Sequence, residues 1–155
     1  MQVNTGDVLF VWGTDFIEHE IETITKGPSH VAFFINETHL IEAQGGRPIQ
    51  IVPLSNYAGV HTEVYYDPSI TNSDAAKMLD FAQSKIGLGY DYFLDLLELF
   101  HFELGARITW YHNNKHFICS TFVNAIGNAA DKTWTIIKNP APIDLLEGGK
   151  LLKRL

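Results

Sequence analysis

Runs that read as strands crowd the first half of this chain, and helical spacing dominates the second. Segments 8–12, 29–35, 39–44, 48–54 and 62–66 are short, rich in β-branched and aromatic residues, and bounded by Gly, Pro, Asn or Asp. One helical segment interrupts them. Over 14–26, Phe16, Ile17, Ile21 and Ile24 recur at helical spacing, with Thr14 or Asp15 as cap and Gly27-Pro28 as stop. Beyond Tyr66 the order changes. Asn72-Ser73-Asp74 caps a helix running to about Ile86, which Gly87 and Gly89 end. Segments 90–104 and 118–130 read as helices, 143–146 as a helical turn, and 150–155 as a last strand. Segregated strands and helices predict an α+β fold, with helices packed on one mainly antiparallel sheet.

A chain of 155 residues, 46% of them hydrophobic, is expected to form one domain around one core. The formal net charge of −7, with no basic cluster beyond 150–154, argues against nucleic acid as a partner. The longest apolar-rich stretch, 92–104, is broken by Asp95, Glu98, His101 and Glu103 and is too short to span a bilayer. No basic segment leads into an apolar run near Met1, so a cytoplasmic location is expected. A single cysteine excludes an internal disulfide and a multi-Cys zinc site. His112 and His116 stand four apart without a clear third ligand, so neither a metal nor another cofactor is expected.

That cysteine, Cys119, opens the helical pattern of Phe122, Val123 and Ile126. A thiol at a helix N-terminus meets the positive end of the macrodipole, which favours the nucleophilic thiolate. The same position also suits a cysteine acting only as a small buried hydrophobe. A nucleophilic role requires a base, and the base requires an acceptor that orients it.

The hairpin at 29–44 offers both. On a strand His30, Ala32 and Phe34 share one face, and on the next Leu40, Glu42 and Gln44 share one. A three-residue loop of Asn36, Glu37 and Thr38 pairs Ile35 with His39. Gln44 then stands opposite His30, and Glu42 becomes its diagonal neighbour, roughly 7 Å away at Cα. A two-residue loop instead sends Glu42 to the other face of the sheet. Glu42 is thus the predicted partner of His30, with Gln44 the alternative third residue.

Four motifs, in order, carry a resemblance: Gly6-Asp7-Val8-Leu9-Phe10, Ser29-His30-Val31-Ala32, Leu40-Ile41-Glu42-Ala43 and Phe117-Ile118-Cys119-Ser120. Together they resemble the circularly permuted branch of the NlpC/P60 papain-like superfamily, in particular its YiiX/YaeF-like members. There the histidine strand precedes the cysteine helix. The resemblance runs from Asp7 to Leu146. It implies a papain-like fold with Cys119 as nucleophile, His30 as base and Glu42 as the orienting residue. Gly87-Leu88-Gly89-Tyr90 resembles the segment whose tyrosine assists near the oxyanion, a role that passes by resemblance to Tyr90. Asn139-Pro140-Ala141-Pro142-Ile143-Asp144-Leu145 is similar to a structural C-terminal segment of the family. The insert 92–115 has no counterpart in the family motifs.

The expected function is a cysteine hydrolase acting without a cofactor on a peptide, an amide or a small acyl-bearing substrate through a thioester. Two alternatives keep the fold. One is an acyltransferase or thioesterase resembling lecithin:retinol acyltransferase, with Phe93, Leu96, Leu97 and Phe100 along a lipid groove. The other is a binding module without catalysis.

Overall fold

The computed structural model describes residues 2–12, 27–89 and 117–154. The helices expected over 14–26 and 90–104, the insert 92–115, and Tyr90, His112 and His116 lie outside the described residues.

Among the described residues the elements are β1 (Val8–Trp12), β2 (His30–Phe34), β3 (His39–Glu42), β4 (Gln50–Pro53), a 3-10 turn (Leu54–Tyr57), β5 (His61–Tyr66), α1 (Asn72–Ser84), α2 (Cys119–Asn128), α3 (Pro142–Glu147) and β6 (Leu152–Lys153). The strands form one sheet in the order β4-β3-β2-β1-β5-β6, antiparallel at every ladder. The architecture is α+β, as the segregation of strands and helices predicts.

Element ends differ from the sequence reading for local reasons. The strand expected over 48–54 stops at Pro53, because Leu54 starts the 3-10 turn and donates its N–H to Thr38 O at 2.8 Å. The cap of α1 is Thr71, one residue before the expected Asn72. Thr71 Oγ1 accepts from Asp74 N at 3.2 Å, and Asp74 Oδ2 accepts from Thr71 N at 3.0 Å. This reciprocal pair is a capping box, and it places the first turn where Asp74 also complements the helix dipole. The last strand shortens from 150–155 to Leu152–Lys153.

Strand alternation divides the core between the two faces of the sheet. Val8, Phe10, Val31, Phe33 and Ile41 pack with Met78 and Ala82 of α1 and with Phe122, Val123 and Ile126 of α2. Leu9, Val11, Ala32, Phe34 and Leu40 pack on the other face, against Leu54, Tyr57 and Val60. β2 is buried along its whole length. Each fully buried Phe or Ile contributes roughly 1.5–3 kcal/mol, so these inner strands hold the sheet rigid. Arg154, just past β6, pairs with the buried Asp7 at the start of β1 through a hydrogen bond from Nη2 to Oδ1 at 2.8 Å and an ion-pair contact of Nε with Oδ2 at 2.8 Å. No helix among the described residues is long and apolar enough to cross a membrane.

Candidate active site

The hairpin loop determines where the site forms. Asn36 Oδ1 accepts hydrogen bonds from Thr38 N at 2.9 Å, Thr38 Oγ1 at 3.1 Å and His39 N at 2.9 Å. One side chain thereby closes a loop of three residues, an Asx-type turn. Ile35 N bonds to His39 O at 3.1 Å, and the register continues as Phe34 opposite Leu40 and Phe33 opposite Ile41. Carried on, this register puts Ala32 opposite Glu42 and His30 diagonal to it, as the loop length predicts.

The side chains then meet. His30 Nε2 lies 3.3 Å from Glu42 Oε2, and both residues are buried. Gln44, the alternative partner, lies just past the end of β3, and no hydrogen bond joins its side chain to His30 among the described residues. Because Nε2 is taken by Glu42, Nδ1 is the ring nitrogen that remains for another partner. Cys119 is the neighbour whose thiol and charge act on the His30 ring from the other side of the pair.

Cys119 is the first residue of α2, following Ile118 in extended conformation. Thr121 Oγ1 accepts from Ile118 N at 3.1 Å, which fixes the entry into the helix. Cys119 and His30 each open their element, so they meet at the end of the sheet. Cys119 belongs to the helix-side core, whereas His30 shares its strand face with Ala32 and Phe34 of the opposite core. The run from thiol to carboxylate therefore bridges the two layers.

Electrostatics follow from this geometry. Burial alone lowers the His30 pKa, but hydrogen bonds and charge attraction from Cys119 and Glu42 outweigh it and raise the value to about 10. For Glu42 burial works upward. The His30 hydrogen bond and charge, the Tyr57 hydroxyl and the Arg47 charge prevail and lower its pKa. The arrangement favours an imidazolium beside a carboxylate at neutral pH.

Tyr57 was not singled out by the sequence reading. It ends the 3-10 turn, donates its hydroxyl hydrogen to Glu42 Oε2, and sets its ring near-parallel to the His30 imidazole, with 6.2 Å between centroids. In the sequence it stands at the head of a connection with no hydrophobic period, and only its residue type marked it. Tyr90 lies outside the described residues. Among the described residues no group of three or more His, Cys, Asp or Glu side chains is placed to hold a metal ion.

No protein-family model matches the chain, and neither does any curated protein. Among solved structures the chain is similar to the crystal structure of the metalloprotein YiiX from Escherichia coli O157:H7. The TM-score is 0.76 at 15% identity, over 100% of this chain and 98% of that one. The shared fold is thus YiiX-like.

Proposed function

We propose that the chain is a papain-like cysteine hydrolase of the permuted NlpC/P60 kind, cleaving an amide or acyl bond through a thioester. The observation that carries this reading is the run of contacts Cys119–His30–Glu42, with the thiol on the first residue of a helix. Nucleophile, base and orienting acceptor stand in the order this chemistry requires.

In this mechanism the Cys119 thiol proton resides on His30 as Sγ attacks the carbonyl carbon, and the carbonyl π electrons move to oxygen. The oxyanion is met by backbone N–H groups of the first turn of α2, which have no acceptor within the helix. Tyr90 is the proposed second donor, on the family resemblance. When the tetrahedral intermediate collapses, the C–N or C–O bond breaks and His30 Nδ1 protonates the departing amine or alcohol. His30 then takes a proton from water, whose oxygen attacks the thioester. The tetrahedral intermediate then expels the Cys119 sulfur with the C–S bonding pair, the acid leaves, and the proton taken from water stays on His30, which restores the starting pair. Glu42 stays ionised throughout and holds the ring by Nε2.

The structural neighbour's description as a metalloprotein raises a metal reading for this chain as well. The described donors do not fit one. Cys119, His30 and Glu42 form a line of contacts and do not converge on a point, and Glu42 is already engaged by His30 and Tyr57. No step is therefore routed through a metal.

A panel of amide and ester substrates, run with the intact chain and with Cys119→Ala and His30→Ala, tests the reading. At least one substrate should be turned over, and both variants should lose that turnover. Turnover that survives Cys119→Ala overturns the assignment.

A further inference from the structure

We propose that Tyr57 is a positioning residue of this site, acting on His30 through Glu42. The inference rests on the hydrolase reading above and extends its Cys119–His30–Glu42 run by one side chain.

Three observations meet at Tyr57. Its hydroxyl donates to Glu42 Oε2, the same oxygen that faces His30 Nε2. Two donors from different directions on one carboxylate oxygen fix the rotamer of Glu42, where His30 alone leaves it free to swing. The Tyr57 ring also lies nearly parallel to the imidazole, at 18°, and limits its tilt on that side. Finally, the turn that carries Tyr57 is tied to the loop that sets the hairpin register, because Leu54 N donates to Thr38 O at 2.8 Å. Ala58 N to Ser55 O at 3.1 Å and Val60 N to Tyr57 O at 3.2 Å hold the rest of that turn.

A tyrosine serving only the core needs an acceptor of any kind. This one takes the one acceptor on which the orientation of His30 depends. The effect on Glu42 agrees in sign, since the Tyr57 donor helps to lower its pKa. Charged or titratable neighbours of the pair are Cys119 from α2 and Arg47 from the turn after β3. The effect of the Tyr57 hydroxyl on His30 passes through Glu42, whereas the ring lies beside the imidazole itself.

A double-mutant cycle tests that route. The readout is the rate at which iodoacetamide alkylates Cys119, the single thiol, followed by intact mass between about pH 5 and 9, which spans the range where histidine and thiol protonation govern reactivity. Tyr57→Phe keeps the ring and removes the donor. It should slow alkylation at neutral pH by roughly tenfold, the weight of one hydrogen bond to a charged group. In a Glu42→Gln background the same change should have little further effect, because the path through Glu42 is already cut. Tyr57→Leu, which also removes the ring, should slow the reaction further. Thermal melts report folding for every variant. A Tyr57→Phe rate equal to that of the unaltered chain overturns the proposal, and so does an undiminished Tyr57→Phe effect in the Glu42→Gln background. A His30→Ala profile identical to that of the unaltered chain is a different failure: it removes the hydrolase reading and this proposal with it.

Discussion

His30 Nε2 and Glu42 Oε2 stand 3.3 Å apart inside the protein, and a loop that touches neither of them sets this distance. Asn36 closes the hairpin by mimicking backbone. The odd loop length sends His30 and Glu42 to the same face, and the buried flanks of β2 and β3 prevent slippage.

The loop can be tested alone. Asn36→Ala removes the acceptor of three hydrogen bonds at an exposed position and should cost about 1 kcal/mol of stability. The His30–Glu42 pairing should weaken with it. Chemical denaturation gives the first quantity, and the rate of Cys119 alkylation follows the second.

Glu42 and Gln44 make opposite predictions. Glu42→Gln is nearly isosteric and keeps an acceptor for His30 but loses the charge that stabilises imidazolium. Activity should fall, though less than in Cys119→Ala, because the third residue orients without reacting. Glu42→Ala should fall further and lose about 3 kcal/mol of stability, since it strands a buried His30. Gln44→Ala should change little. Parallel assays and melts decide, and a damaging Gln44→Ala beside a silent Glu42→Ala reverses the assignment.

Stability should depend on pH at both ends. The His30 pKa is raised from 6.5 to about 10, so its contribution is full below 6.5 and declines as pH climbs through about 10. The Glu42 pKa is lowered from 4.5, so its contribution is present above 4.5 and is lost as pH falls through the lower folded value. Denaturation of the intact chain and of His30→Gln should therefore differ most between the two limits. The difference should shrink as pH approaches 10. A gap that stays constant across the alkaline range contradicts the ionised pair.

How much of this was legible in the sequence can be read from particular residues. The register of β2 and β3 was, because loop length and a period of two determine it together. The start of α2 at Cys119 was as well, because the apolar spacing of Phe122, Val123 and Ile126 begins there. Tyr57 was not, since a lone aromatic in a connection has no period and its partner is 15 residues away in the chain. Thr71 was passed over as the cap in favour of Asn72, although Thr71 and Asp74 have the spacing of a capping box. Nor was Arg154, whose partner Asp7 lies 147 residues distant, beyond the reach of any local pattern.

That long-range pair makes its own prediction. Asp7 is buried, and Arg154 meets both of its carboxylate oxygens. Arg154→Met leaves the Asp7 carboxylate without its counter-charge and should cost about 3 kcal/mol, read as a lower denaturation midpoint. Alkylation of Cys119 should be unaffected, because Asp7 lies beside Phe34, at the opposite end of the β1–β2 pair from the Val11–His30 pairing.

The central claim is that Cys119 becomes acylated with the help of His30. Intact-mass analysis after exposure to an activated acyl probe, such as a p-nitrophenyl ester, measures this directly. The account predicts one acyl group on Cys119 that hydroxylamine removes, slow acylation in His30→Ala and none in Cys119→Ala. Acyl adducts elsewhere, or equal acylation of Cys119 with and without His30, would contradict it.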